Sequence, residues 1–223
     1  WEGVWSSLVR TGLRRLATVG TQLRNWKPNI LAFSQVSGER SPALTDLVVA
    51  LIGNVGVATD VRIHGNDPDE ASEDDGEEPP PGLFVEHVFA DTPHPTIAAM
   101  ARHAGLGGVR PNTVMIPWSF ARGDGEGFAR LAAELGDTDH GLLVHRAGKQ
   151  LDASAPIDIW WYDELGNLPF AVTMARLLSR SDTWRRHPMR VFLLTTDPAS
   201  DDLLAVEARE YVSQARLVAD VQV

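Results

Sequence analysis

Residues 29–64, NILAFSQVSGERSPALTDLVVALIGNVGVATDVRIH, decide the fold. Asn29–Val36 is a short apolar run of the length expected for a buried strand. Ser41 then offers an N-cap with Pro42 at the first helical position, and Leu44, Leu47, Val48, Leu51 and Ile52 recur at helical spacing. Val57–His64 alternates between apolar and polar residues as a second strand. A strand, a helix and a strand in this succession form a βαβ crossover, and such a crossover joins parallel strands.

The same alternation continues downstream. Leu83–Ala90 reads as a strand, Pro95–Ala104 as a helix closed by Gly105, Asn112–Trp118 as a strand, Glu126–Leu135 as a helix and Gly141–His145 as a strand. After a connector at 148–156 the unit repeats: Ile157–Tyr162, Leu168–Arg180, Arg190–Thr196, Asp201–Gln214 and Leu217–Val223. The expected class is α/β, a doubly wound, mostly parallel sheet of Rossmann-like type covered by helices on both faces. Three regions are expected: a linker helix at 1–27, a first α/β subdomain at 28–150 and a second at 151–223.

The linker reading rests on periodicity. At about 100° per residue, Trp5, Leu8, Val9, Leu13, Leu16, Val19 and Leu23 fall within an arc of about 140°, while Arg10, Arg14, Arg15 and Arg24 occupy the rest. Pro28 ends the pattern. Such a helix suits three settings: packing on its own domain, docking on a partner helix or lying on a membrane surface. Within 67–81, the run from Asp67 to Glu78 carries eight carboxylates and no cation, followed by three prolines. Too little apolar surface is present there to offset the entropy of ordering, so a disordered acidic loop is expected.

Charge and composition narrow the function. With 30 acidic and 20 basic residues the formal charge is −10, which argues against a nucleic-acid partner, since phosphate binding rests on Lys and Arg. Residues 67–78 contribute −8 and residues 1–27 contribute +4, so a moderately acidic body carries one strongly acidic loop and one basic helix. A length of 223 residues buries roughly 70% of the surface of the unfolded chain, enough for one large core or two smaller ones. The absence of cysteine removes disulfides, thiolate metal sites and cysteine nucleophiles, in agreement with a reducing compartment. Mean hydropathy is −0.13 and no 18-residue apolar run occurs, so neither a membrane span nor a signal peptide is expected within these residues. The sequence opens on Trp1 rather than Met, and a fragment or processed product is therefore expected.

In a doubly wound sheet, ligands bind at the carboxyl ends of the strands. Gly105-Leu106-Gly107-Gly108 looks like a phosphate loop but follows a helix and precedes a strand, so a helix end and turn is favoured. Gly123-Asp124-Gly125-Glu126-Gly127 lies on the correct side, yet Asp124 and Glu126 repel a pyrophosphate and suit the positive end of the following helix. Ser34, Ser37 and Ser119 lack the Gly-x-Ser-x-Gly elbow of a hydrolase. His87, Asp91 and His94 show no metal-ligand spacing, and nothing brings Asp158 together with Asp163 and Glu164 as an acid/base pair. Trp160 and Trp161 project to opposite faces of one strand, which suits packing in the core and between helices rather than a stacking platform. No catalytic site, metal or cofactor is expected.

Several segments resemble a known family. Asn25-Trp26-Lys27-Pro28-Asn29-Ile30-Leu31 resembles the NWRPQLLVL signature of the cation-chloride cotransporters, the potassium-chloride and sodium-potassium-chloride symporters of the amino-acid/polyamine/organocation superfamily. Residues 105–118 (GLGGVRPNTVMIPW), including Gly105, Gly107, Gly108, Asn112, Thr113 and Trp118, resemble its CGLGGMKPNTLLMGW. Residues 157–161 (IDIWW), with Asp158, Trp160 and Trp161, and Gly166-Asn167-Leu168 resemble its IDVWWL-DDGGL. Trp184 with residues 189–193 (MRVFL) resembles KW--CKIRVF, and residues 215–223 resemble LRIEAEVEV. The five segments keep the family's order and approximate spacing over nearly the whole chain.

The resemblance implies the cytosolic C-terminal domain of a transporter, with a universal-stress-protein-like α/β fold that regulates transport and forms a homodimer, and its compactness points to a prokaryotic source. It places the domain on the cytoplasmic face of the membrane and the ion sites in a membrane-embedded half, so no ion ligand carries over. Residues 67–81 are an insertion relative to the family, Pro117 stands where it usually has Gly, and no Ser/Thr-rich regulatory stretch is present, so animal-type phospho-regulation is not expected. On this reading Trp1, Trp5, Leu8, Arg10, Arg14 and Arg15 link the domain to its own membrane half and contribute to the dimer. Its basic residues would meet an anionic leaflet at up to about 1 kcal/mol each. The alternative is a nucleotide-sensing module, with Ser34, Gln35, Ser119, Gly123 and Gly125 as candidate nucleotide contacts; a stand-alone enzyme is a third reading.

Overall fold

Strand β1 (Asn29–Gln35) is apolar at Ile30, Leu31, Ala32 and Phe33, all at most 3% exposed, so it is covered on both faces and lies at the centre of its sheet. The computed structural model describes residues 26–35, 42–65, 78–105, 110–146, 148, 155–162, 168–195 and 201–222. These form two compact units, one of residues 27–148 and one that joins Trp26 to the described residues from 155 onward. Trp1, Trp5, Leu8, Arg10, Arg14, Arg15, Asn25, the cap Ser41, residues 67–77 of the acidic stretch, Gly107, Gly108, Asp163 and Glu164 lie outside the described residues.

In the first unit β1 pairs in parallel with β2 (Val57–His64) on one side and β4 (Thr113–Pro117) on the other. β2 pairs with β3 (Leu83–Phe89), and β4 with β5 (Gly141–His145), again in parallel, so the strand order is 3-2-1-4-5. Helix α1 (Pro42–Ile52) joins β1 to β2 and buries Leu44, Val48, Leu51 and Ile52 against them. Helix α2 (Pro93–His103) joins β3 to β4. Beyond β4 come a short α3 (Trp118–Gly123) and α4 (Gly125–Asp137), which packs along α2. The crossover through α1 runs one way along the sheet and those through α2 and α4 run the other. Right-handed connections therefore place α1 on one face and α2 with α4 on the opposite face. The result is a doubly wound, Rossmann-like sheet, all rather than mostly parallel, with its switch point at the carboxyl ends of β1 and β4.

The amino edge of this sheet is held by Asn112. Its side-chain amide donates to the Lys27 carbonyl at 2.7 Å while its oxygen accepts from the Asn29 N–H at 3.2 Å and from the Thr113 hydroxyl at 3.0 Å. Its backbone bridges the Asn29 carbonyl and the Gly141 N–H, so one residue ties the starts of β1, β4 and β5 together. Gly56 is required beside it in space: a Cβ there would stand 2.5 Å from Pro28 Cγ and 2.6 Å from the Pro28 carbonyl oxygen. The expected strand through Trp118 ends instead at Pro117, and Trp118 opens α3. Residues 78–81 form an exposed turn before β3, where the Leu83 N–H donates to the Pro80 carbonyl at 3.0 Å.

The second unit is simpler. β6 (Ile157–Tyr162), β7 (Met189–Leu194) and β8 (Asp220–Gln222) run parallel in the order 6-7-8, with α5 (Leu168–Leu178) and α6 (Asp201–Gln214) as crossovers. Trp161, Met189, Val191 and Leu193 of the sheet pack with Leu168, Val172, Leu204 and Ala208 of the helices. These sheet residues share one face because side chains alternate along a strand. Both crossovers progress in the same direction, so both helices cover that face.

Candidate functional site

A cleft of about 810 Å³ opens at the switch point of the first unit. Gln35 enters it from the end of β1, Asp91 from the loop after β3, His94, Ala98 and Arg102 from α2, Ser119, Phe120 and Gly123 from α3, and the cap Asp124 with Glu126, Gly127, Arg130 and Glu134 from α4. The helices bring these residues together for a sequence-level reason. Helix α4 buries Phe128, Leu131, Ala132 and Leu135 at helical spacing, and α2 buries His94, Ile97, Ala98 and Ala101; of these, His94, Ala98 and Leu131 also line the opening, beside the polar residues of both helices.

Most of the charge in the cleft is committed. Arg102 donates to Glu134 at 2.9 Å, clasping α2 to α4, and Arg130 donates to Glu126 at 3.1 Å. Asp124 is the N-cap of α4, accepting from the Gly127 N–H at 2.9 Å through Oδ1; its Oδ2 lies 3.4 Å from Nδ1 of His94. Gly127 leaves room for this arrangement: a Cβ would overlap the Asp124 carboxylate and stand 2.8 Å from His94 Nδ1. His94 is 6% exposed, lies edge-on to Phe120 with 6.5 Å between ring centres, and its Nε2 has no hydrogen-bond partner among the described residues.

Asp91, Asp124, Glu126 and Glu134 outnumber Arg102 and Arg130 in the lining. The N-terminus of α4, where a phosphate would be received, is occupied by the chain's own carboxylate. The charge of this lining therefore opposes a phosphate at the start of α4.

The candidate nucleotide contacts separate in the structure. Gln35, Ser119 and Gly123 line the cleft, whereas Ser34 does not: its hydroxyl donates to Asp60 at 3.3 Å, and Asp60 accepts from Arg62. Gly125 sits in the first turn of α4 and is not part of the lining, and a Cβ at Gly123 or Gly125 would meet nothing within 4 Å, so neither glycine is needed for a close approach. The expected capping role of Asp124 is observed. His87, Asp91 and His94 do not converge, because His87 Nδ1 faces His64 Nε2 at 2.7 Å while the other two border the cleft. Among the described residues no group of three or more His, Asp or Glu could hold a metal ion.

The motif residues serve the framework. Pro28, Asn112 and Thr113 lie at the amino edge of the first sheet, opposite the cleft, and Gly105 follows the end of α2 with a φ of 122°. In the second unit Asp158 receives two hydrogen bonds from Arg190, at 2.7 and 2.8 Å. Trp161 is buried in the core as expected, but Trp160 corrects the expectation: it is 61% exposed and stacks on Phe192 with ring centres 4.5 Å apart. Among the described residues no helix covers its side of the sheet. The Arg102–Glu134 clasp and the Trp160–Phe192 stack are the features that sequence reasoning missed, since each joins residues 32 apart whose meeting depends on which face a helix or strand presents.

Fold and cleft together define a Rossmann-like α/β unit with an opening at its switch point, and comparison with known proteins adds a relationship. No protein-family model matches the chain. Over 134 residues, 56% of this chain, it is 24% identical to potassium/chloride cotransporter 3 of Caenorhabditis elegans, of which the match covers 12%. The chain is thus a distant, partial relative of a cation-chloride cotransporter and spans a small part of that protein's length. No helix among the described residues is long and apolar enough to cross a membrane.

Proposed function

We propose that this chain is a non-catalytic regulatory and homodimerisation domain of a cation-chloride symporter, positioned at the cytoplasmic face of the membrane. On this reading residues 1–24 link it to its own membrane-embedded half, which holds the ion path. The observation that carries the proposal is the partial similarity to potassium/chloride cotransporter 3. The use of the motif residues Pro28, Asn112 and Thr113 in the sheet framework agrees with it, as does a cleft whose charged groups are already paired. Compactness fits a prokaryotic source, and the charge of −10 disfavours nucleic acid as a partner.

The test is chloride-dependent rubidium uptake by cells producing the full protein that contains this chain. The expected result is uptake that requires chloride and changes when Asp124 and Arg102 at the cleft are replaced. Absence of chloride-dependent uptake overturns the symporter reading.

One observation favours a second reading, nucleotide sensing: a cleft at the switch point bordered by Gln35, Ser119 and Gly123. Calorimetry with ATP and ADP at millimolar concentration separates the two. Saturable heat supports the nucleotide module, and no heat leaves the regulatory reading without a nucleotide signal.

A further inference from the structure

Among the described residues, the three-stranded sheet of the second unit has one face covered by α5 and α6 and one left open. Strand register sets Asp158, Arg190 and Asp220 side by side in one row of the open face, and Trp160, Phe192 and Gln222 in the next. The rows are about 7 Å apart, two residues along a strand. The Arg190 guanidinium lies 5.2 Å from the centre of the Phe192 ring, Trp160 is 61% exposed, and Leu194 beyond them is 46% exposed. Parallel sheets are nearly always covered on both faces, and an exposed aromatic patch rimmed by charge marks an interaction surface.

We propose that this face is an interface between two copies of the chain, packed sheet against sheet. The inference rests on the homodimer reading above and names its surface. What identifies the occupant is that the two rows complement each other. A two-fold axis running across the strands, between the rows, lays each copy's ionic row over the other's aromatic row. Arg190 then meets the Phe192 ring of the second copy, and Asp158, which already accepts from Arg190, can accept further from the Trp160 indole N–H. Within one chain the Gln222 amide donates to Asp220 at 2.6 Å, and the same two groups can exchange this bond with their counterparts across the axis. An axis along the strands would instead set Arg190 against Arg190 and Asp158 against Asp220, an arrangement that like charges oppose. An anionic membrane is a poorer partner for the same face, because two carboxylates there outnumber one cation.

The experiment is sedimentation equilibrium of the full 223-residue chain and of single variants, with circular dichroism to check that each is folded. Trp160→Ser should weaken the dimer at least tenfold. Gln222→Glu, which would face Asp220 of its own chain and of the second copy, should weaken it several-fold, whereas Gln222→Lys should leave it equal or tighter. Val206→Ser, at a 60% exposed position on α6, should have no effect. If Trp160→Ser lowers the thermal midpoint, the two Gln222 variants carry the test, since that side chain is exposed. A dimer indifferent to Trp160→Ser and to the sign of charge at Gln222 overturns this inference and leaves the homodimer reading standing. A chain that stays monomeric at hundreds of micromolar overturns both. If Leu8→Asp abolishes the effect of Trp160→Ser, residues 1–24 rather than a second sheet occupy the face, and the inference falls.

Discussion

In the first unit the chain leaves β1 toward β2 and β3, then crosses back over it to β4 and β5; in the second it passes from β6 to β7 to β8 without turning back. Both sheets are wholly parallel and both use helical crossovers. The reversal alone separates their properties. Reversing the direction puts helices on both faces and opens a cleft where the two directions part. Keeping one direction puts α5 and α6 on a single face, so the second sheet has no switch point and presents Trp160, Phe192 and Arg190 on the side the helices do not reach. Function is therefore sought at an edge in one unit and on a face in the other.

The largest effect that sharpens this contrast comes from the centre of the first sheet. Phe33→Ala removes a fully buried ring from a strand covered on both sides and should cost about 3–5 kcal/mol. In urea unfolding the transition of the first unit should move while that of the second, followed through the buried Trp161, stays in place. A common shift of both transitions would break the comparison by showing that they unfold as one. Next is Asn112→Ala, which leaves the Lys27 carbonyl and the Asn29 N–H without their partner and should cost about 1–3 kcal/mol in the first unit only. Hydrogen exchange at the start of β1 should rise with it; unchanged exchange there would dismiss the clasp.

A smaller effect is expected at the cleft. Asp124→Ala removes the cap of α4 and should cost about 1 kcal/mol, within a range of about 0.5–2. Gly127→Ala should match it by pushing the same carboxylate aside, and a full additive loss in the double variant would show that the two act separately.

The smallest is a pH term confined to the first unit. Burial holds His140 and His145 below the usual imidazole range by disfavouring the charged form, although two backbone hydrogen bonds and Asp139 partly offset this at His140. The unfolded chain then takes up protons first as pH falls through about 6.5, so stability is full above that value and declines below it toward the lowered folded values. The urea midpoint of the first unit should fall between pH 7.5 and 5.5, and His145→Gln should flatten part of that fall.

The strands and helices were legible because their apolar runs are long and regularly spaced. Ile30–Phe33 could hardly be other than a central strand, and the stripe of α1 names its own buried side. Gln35, Ser119 and Gly123 were legible as cleft residues for a topological reason: each follows a parallel strand at its carboxyl end. His94, Arg102 and Glu134 were not. They lie on helices or at a helix start, and only the packing of α2 along α4 brings them to the opening. Trp160 misled because alternation says that neighbours face opposite ways but not which way a helix will lie. That choice is made by crossover direction, a property of the chain path rather than of any local residue pattern.

The clasp at Asn112 also bears on how the first sheet answers a mechanical load. β1 lies between two parallel neighbours, paired at seven positions with β2 and at three with β4, and Asn112 grips the backbone at Lys27 immediately ahead of it. Tension applied to the chain at residue 27 along the strand axis would load these pairings together in shear instead of peeling them one at a time. A pull from that side would reach the far, carboxyl edge through β1, whose last residue, Gln35, borders the cleft.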